Sequence, residues 1–179
     1  MRKLFVSIMM SLDGFIEGPN QELDDFTDDE ELFSYFHDVL DSIDLMIYGR
    51  KSYELMLSYW PKDKSSFADK MNNKPKLVFS RTLEKATWNN TTLVKDDVEG
   101  TIKKLKAQPG KDLVLFAGAE MVSTLRKLNL IDEYRIIVYP LVLGSGTPLF
   151  KDLKTTLQLE HVNTRVFTGG QVLLSYKPR

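Results

Sequence analysis

Apolar positions along the chain follow two rhythms, and the alternation between them predicts the elements. Leu4 to Met10 is an apolar run long enough for a central strand, ending at the turn signal Ser11-Leu-Asp-Gly14. Thr27-Asp-Asp-Glu30 fits a capping box with Thr27 as N-cap, and behind it Leu32, Phe33, Phe36, Val39, Leu40 and Ile43 recur at helical spacing. Leu45–Tyr48 reads as a short buried strand and Lys51–Ser58 as a helix stopped by Pro61, followed by a polar region from Lys62 to Lys74. Lys76–Ser80 and Thr91–Val94 read as strands, and Val98, Ile102 and Leu105 mark a helix closed by Pro109-Gly110. Leu113–Phe116 is a fully apolar strand, and Gly118 opens a helix through Lys127. Arg135–Leu143 reads as a long strand running into Gly144-Ser-Gly146. Finally, Leu157–Phe167 and Gln171–Tyr176 flank Thr168-Gly-Gly170 as a hairpin.

Strands alternating with helices over the first two-thirds predict an α/β fold, with a mostly parallel sheet covered by helices on both faces. The terminal hairpin adds antiparallel strands at the edge. At 179 residues the expectation is one domain spanning 1–179. Twenty-four basic and 25 acidic residues give a net charge of −1, which argues against a nucleic-acid or membrane-surface binder. With no cysteine there is neither disulfide nor thiolate zinc site. His37 and His161 form no His-x-x-x-His pair, so no metal is expected. No apolar run approaches the roughly 20 residues that span a bilayer, no signal-peptide pattern opens the chain, and the expected location is the cytoplasm. Lys103-Lys-Leu-Lys106 reads as the solvated face of a helix.

Parallel sheets bind ligands beyond the carboxyl ends of their strands, which places three segments at one rim. These are Gly49-Arg50-Lys51-Ser52, Ser80-Arg81, and Ala117-Gly118-Ala119-Glu120-Met121. Two cations at a helix start oppose the helix dipole, an arrangement that a bound anion would turn to advantage. Asp13 is the candidate acid, although Asp before Gly is also ordinary turn chemistry. Trp60 beside Pro61 either closes over a substrate or packs in the core.

Taken in order, Ser11-Leu-Asp-Gly14, Tyr48-Gly-Arg-Lys-Ser-Tyr-Glu54, Tyr59-Trp-Pro61, Pro75–Thr82, Leu130-Ile-Asp-Glu133, Pro140–Gly146 and Leu149-Phe150 resemble the dihydrofolate reductase-like superfamily. The nearest branch is the C-terminal reductase domain of the riboflavin-biosynthesis deaminase/reductase (the RibD C-terminal domain). The resemblance implies NADPH as cofactor. Arg50 and Lys51 would face the 2′-phosphate and Ser52 the pyrophosphate, with Ser80 and Arg81 flanking the adenosine. Gly118 and its neighbours would allow close approach of the pyrophosphate. It also implies that Met9 and Ile16 hold the nicotinamide carboxamide, and that Gly144, Ser145 and Gly146 line the substrate cavity with Trp60. Dihydrofolate reductases carry a Gly-Gly pair, often cis, where this chain reads Ala117-Gly118-Ala119. They also place a carboxylate on the inner face of the first helix, which here reads Leu32, Phe33, Phe36.

The reading is therefore an NADPH-dependent reductase of a small heterocyclic or carbonyl-type substrate, with 5-amino-6-(5-phosphoribosylamino)uracil reduction as the activity the family offers. Dihydrofolate reduction and a non-catalytic NADP-binding module are the alternatives. The His-x-Glu and Cys-x-x-Cys motifs of a zinc deaminase half do not occur, so a free-standing reductase domain is expected. A homodimer is expected from the resemblance and from the apolar strand Ile136–Leu143.

Overall fold

A computed structural model describes residues 1–27 and 29–179. Eight strands form one sheet in the order β5-β4-β3-β6-β1-β7-β10-β9. They are β1 (Leu4–Ser11), β3 (Ile43–Gly49), β4 (Lys76–Phe79), β5 (Thr91–Val94), β6 (Asp112–Leu115), β7 (Glu133–Tyr139), β9 (Leu159–Val166) and β10 (Val172–Pro178). All pairings from β5 to β7 are parallel, while β10 runs antiparallel to both β7 and β9. This is the expected α/β architecture. Two further short strands, β2 (Phe15–Glu17) and β8 (Thr147–Pro148), pair antiparallel with each other and were not expected.

The pleat divides the apolar residues between two layers. Leu4 and Val6 of β1, with Ile47, Leu113 and Leu115, face Ile102 of α4 (Val98–Ala107) and Val122 and Leu125 of α5 (Ala119–Lys127). Phe5, Met46, Tyr48 and Val114 point the other way. They pack on Val39 and Leu40 of α1 (Glu30–Ser42), Tyr53 of α2 (Arg50–Tyr59), and Phe67 and Met71 of α3 (Ser66–Asn73). Burying each such side chain contributes roughly 1.5–3 kcal/mol. Helices thus cover both faces.

Several boundaries differ from expectation for identifiable reasons. The N-cap of α1 is Asp29 rather than Thr27, its carboxylate accepting from Leu32 N at 2.7 Å. Asp28, within the expected capping box, lies outside the described residues. α3 emerges from the stretch read as merely polar, capped by Ser65, which accepts from Ala68 N at 3.1 Å. Its apolar face is only Phe67, Ala68 and Met71, too short a pattern to register as periodicity. The carbonyls at its end hold the buried Lys76 ammonium, with Met71, Asn72 and Lys74 oxygens at 2.8, 3.0 and 2.7 Å, and the Trp88 ring lies 4.5 Å away. Burial pushes the Lys76 ammonium down to about 8. β7 stops at Tyr139 because Pro140 has no N–H for the ladder. It lies between β1 and β10, so residues 136–139 of the apolar stretch are paired within the sheet, while Val142 beyond it is exposed. Lys106 is buried rather than solvated, ion-paired with Asp132 at 2.6 Å. Among the described residues no helix is long and apolar enough to cross a membrane.

Candidate active site

The C-terminal ends of β3 and β6 are neighbours; β3 passes directly into α2 through Gly49, and β6 reaches α5 through Phe116, Ala117 and Gly118. Gly49 is the N-cap of α2 and Gly118 the N-cap of α5, and neither helix receives a side-chain cap. Their backbones, with φ of −84° and −73°, suit any residue. Nor does the protein's own packing demand glycine. A methyl group at Gly118 would meet Ile16 and Ser52 at an ordinary 3.9 Å, and one at Gly49 would meet Met121 at 3.5 Å. Gly118 N–H donates to Ser52 Oγ at 3.1 Å, tying the two helix starts together. The result is a pair of helix N-termini with donors turned to one rim and little side-chain bulk above them.

Arg50 flanks this rim. Its Nε donates to Glu54 at 2.8 Å and its Nη1 to the Thr82 hydroxyl at 2.8 Å, which leans the guanidinium toward the loop after β4. Ser80 shapes that loop by accepting from Leu83 N at 2.9 Å. Arg81 is exposed and pairs loosely with Asp96 at 3.6 Å, Lys51 is exposed, and Glu120 is ion-paired with Lys151. Ala119 is buried beneath the rim and Met121 packs on the core. No peptide bond among the described residues is cis, so the Ala117-Gly118-Ala119 stretch turns entirely through trans bonds.

Beside the rim, on the α1–α3 side of the sheet, opens a cavity of about 230 Å3. Met9, Ile16, Ser52, Ala117 and Gly118 line it, which brings five of the expected cofactor residues together. Trp60 also lines it. Its ring packs on Phe67 at 5.1 Å and its carbonyl accepts from Asn72, so lining and packing are both true of it. α2 is held in place for this by Tyr53, whose hydroxyl accepts from Thr87 N at 2.9 Å and Trp88 N at 2.8 Å. The rest of the wall is mainly apolar, including Phe33 and Phe36 from α1, Leu55 and Met56 from α2, Met71 from α3, and Phe116. α1 contributes no carboxylate. Its Glu31 instead accepts from Thr168 and Arg165 on the terminal hairpin.

Asp13 and the loop 144–146 stand apart from this cavity and are not among its lining residues. Asp13 accepts from Ser11 Oγ at 2.6 Å, Gly144 N at 2.7 Å and Leu143 N at 3.1 Å. The Ser11 hydroxyl first, then these N–H groups, hold its carboxyl below its ordinary range. An exposed, ionised acceptor engaged in this way fastens a loop and is poorly suited to donating a proton. Gly144 has φ +75° and Gly146 φ +148°, and a methyl group on Gly146 would overlap the Glu17 carbonyl. With Ser145 between them, they brace β2 and so act on the cavity through Ile16 and Glu17.

Most of the lining residues are absent from the sequence-based candidates, Ser7 among them. Ser7 of β1 is buried, and its Oγ finds no hydrogen-bond partner among the described residues. The signal was present as the only hydroxyl within the apolar run Leu4–Met10.

The family model described as RibD C-terminal domain matches residues 2–173. The chain belongs to that family. It is 39% identical to the uncharacterized protein YyaP of Bacillus subtilis (strain 168), over 98% of this chain and 94% of that one. Among solved structures, a Shewanella sp. PV-4 protein associated by name with riboflavin biosynthesis superposes with a TM-score of 0.83 at 24% identity, covering 99% of both chains. The diaminohydroxyphosphoribosylaminopyrimidine deaminase/5-amino-6-(5-phosphoribosylamino)uracil reductase of Thermotoga maritima gives 0.73 at 16% identity, over 99% of this chain and 57% of that one. Dihydrofolate reductase from Enterococcus faecalis, complexed with NADP(H), gives 0.67 at 14%, over 99% and 96%. At these identities the structural likeness establishes the dihydrofolate reductase-like fold.

Proposed function

We propose that the protein is an NADPH-dependent reductase of a small planar heterocyclic or carbonyl-type acceptor. The observation that carries the reading is the pair of glycine-capped helix N-termini opening onto an apolar cavity. Free helix N–H groups attract an anion, and glycines that neither backbone nor packing requires leave room for one to come close. The residues present therefore fit a dinucleotide. The N-termini of α2 and α5 would hold its pyrophosphate, and Arg50 would take a 2′-phosphate, since a guanidinium matches phosphate oxygens in a bidentate fashion. Met9, Ile16 and Ala117 would shape the nicotinamide end.

When bound, NADPH supplies a hydride, two electrons with one hydrogen, to the acceptor carbon. The chain contributes position and dryness. Phe33, Phe36, Trp60 and Phe116 stack around a flat ring and exclude water, and holding the reactants at contact supplies much of the acceleration available here. The proton that completes the reduction comes from solvent, because Glu17, the one carboxylate on the wall among the described residues, is an acceptor whose Oε1 takes the Thr147 hydroxyl at 2.7 Å. The alternative of folate reduction is weakened by the wholly apolar face that α1 presents to the cavity.

The test is thermal stability under titration with NADPH and NADH. At 100 times its dissociation constant a ligand adds about 2.7 kcal/mol to stability. NADPH should stabilise more than NADH, and Arg50→Ala should erase the difference. Equal indifference to both nucleotides would overturn the cofactor assignment. A protein that merely binds NADP would show the shift but never oxidise NADPH with any acceptor.

A further inference from the structure

We propose that the protein is a twofold dimer in which a second copy covers the apolar face of β7, β10 and β9. Cross-strand neighbours share a face, so the registers assign the side chains of this part of the sheet. On one face run the rows Val138–Val172–Val166 and Ile136–Leu174–Thr164. On the other run the row Arg135–Ser175–Asn163 and the pairs Leu173–Arg165 and Lys177–Glu160. The second face has what water requires. Its exposed positions Glu160, Asn163, Arg165 and Lys177 are charged or polar, and its apolar Leu173 packs with Leu32 of α1. The first face carries no lysine, arginine, aspartate or glutamate on these strands among the described residues.

α4 and α5 cover that first face only as far as β7. Ile136 is buried beneath them and Val138 packs on the same core, but Val166, Val172 and Leu174 belong to no core layer. Val166 is 66% exposed, and Leu12 and Val142, just past the ends of β1 and β7, are 68% and 67% exposed. Apolar side chains gathered in one place like this mark a contact surface. Two sheets pack face to face about 10 Å apart, and an uncharged face is its own complement. Four strands from β1 to β9, about 4.8 Å apart, and five residues of about 3.3 Å give roughly 300 Å2 in flat projection on each copy. Doubling for the pair, and adding side-chain relief with Leu12 and Val142, brings the contact toward the ~1,000 Å2 of the smallest specific interfaces. β9 is the edge of the sheet, but a bulge opposite Ser175 and Tyr176 and the charges of Glu160 and Arg165 blunt it against adding strands. Contact through the face therefore closes on a twofold axis instead of continuing as a ribbon. The cavity opens on the α1–α3 side and stays accessible in such a dimer.

The experiment is sedimentation equilibrium of the full chain over a range of concentrations. Wild type should sediment at twice its 20.6 kDa at tens of micromolar. Val166→Lys should weaken association about 100-fold, because the twofold axis repeats the substitution and each lysine loses water without gaining a partner. Thr164→Lys, on the same face one row away and also exposed, should weaken it similarly, so the outcome does not hang on the folding of one variant. Asn163→Lys, next to it in the chain but on the opposite face, should leave the dimer intact. A monomeric wild type would mean that something other than a second copy covers the face, or nothing does, and the proposal falls. A dimer that survives both Val166→Lys and Thr164→Lys would put the contact elsewhere in the molecule. A dimer broken by Asn163→Lys as readily as by Thr164→Lys would show pairing through the β9 edge, and would overturn packing through the face.

Discussion

Two glycine-bearing regions of this molecule look alike in sequence and differ in physics. Gly144 and Gly146 have positive φ, and a side chain at Gly146 would run into the Glu17 carbonyl. The N–H groups of Leu143 and Gly144 are already taken by the Asp13 carboxylate. Gly49 and Gly118 have ordinary negative φ and room for a methyl group, and the helices they open receive no side-chain cap. In the first region the fold requires glycine and brings its own anion. In the second the fold requires neither, which is the arrangement that the proposed dinucleotide would use. Terminal Thr168-Gly-Gly170 belongs with the first kind, because Gly170 has φ +87° and Asp29 and Glu31 accept from Gly169 N and Thr168 N.

The largest expected effect breaks a glycine of the first kind. Gly146→Ala forces a side chain into a φ that favours glycine and against a backbone oxygen, which should cost about 3 kcal/mol. For a chain of this size that corresponds to a fall in melting temperature of roughly 10 °C. A melting point near wild type would mean that the loop is not fixed as described, and the contrast would fail on its structural side.

A smaller effect tests the second kind. Gly118→Ala should change stability by no more than about 0.5 kcal/mol, because a poorer N-cap is offset by a less flexible unfolded chain. NADPH affinity should nevertheless drop about tenfold, roughly 1.4 kcal/mol, since the methyl group occupies the approach of the anion. Calorimetric titration measures it. Unchanged affinity would mean that the glycine has no ligand to accommodate, and the two regions would then differ only in strain.

The same distinction explains what was legible in the sequence. Strands β1, β3, β4 and β6 and helices α4 and α5 announced themselves because burial on both faces of a parallel sheet demands long apolar runs and full helical turns. β2, β8 and α3 did not, since two or three residues of pairing and a three-residue apolar face leave no period to detect. Of the proposed site, the turn glycines and Arg50 were readable because they form a compact local pattern at a strand-to-helix turn. The cavity wall was not. Phe33, Met56, Phe67 and Phe116 read as core until the fold shows that they surround an opening. Asp13 was legible as a charged residue in a turn, but only the positions of Leu143 N and Gly144 N, some 130 residues away, reveal what its charge holds.

The smallest effect sharpens the comparison by titrating one of the anions that the fold supplies for itself. The Thr168 hydroxyl, then Arg165 and the Thr168 N–H, lower the Glu31 carboxyl from 4.5 to about 2. A carboxyl depressed in the folded state stabilises fully above its unfolded value, and that stabilisation fades as pH falls through the folded one. The stability gap between wild type and Glu31→Gln should therefore be constant above about pH 4.5 and close progressively toward pH 2, a window set by these two values. Urea midpoints of both proteins at about pH 6 and about pH 3 measure it, and taking the difference cancels the other acids. Because this carboxylate serves the hairpin turn and not the ligand rim, the substitution should leave NADPH affinity untouched at neutral pH. A gap that widens on acidification would show that Glu31 is not an ionised partner of the hairpin. A loss of NADPH affinity would show that this turn and the Gly49–Gly118 rim are coupled, and the two kinds of glycine turn would no longer be separable.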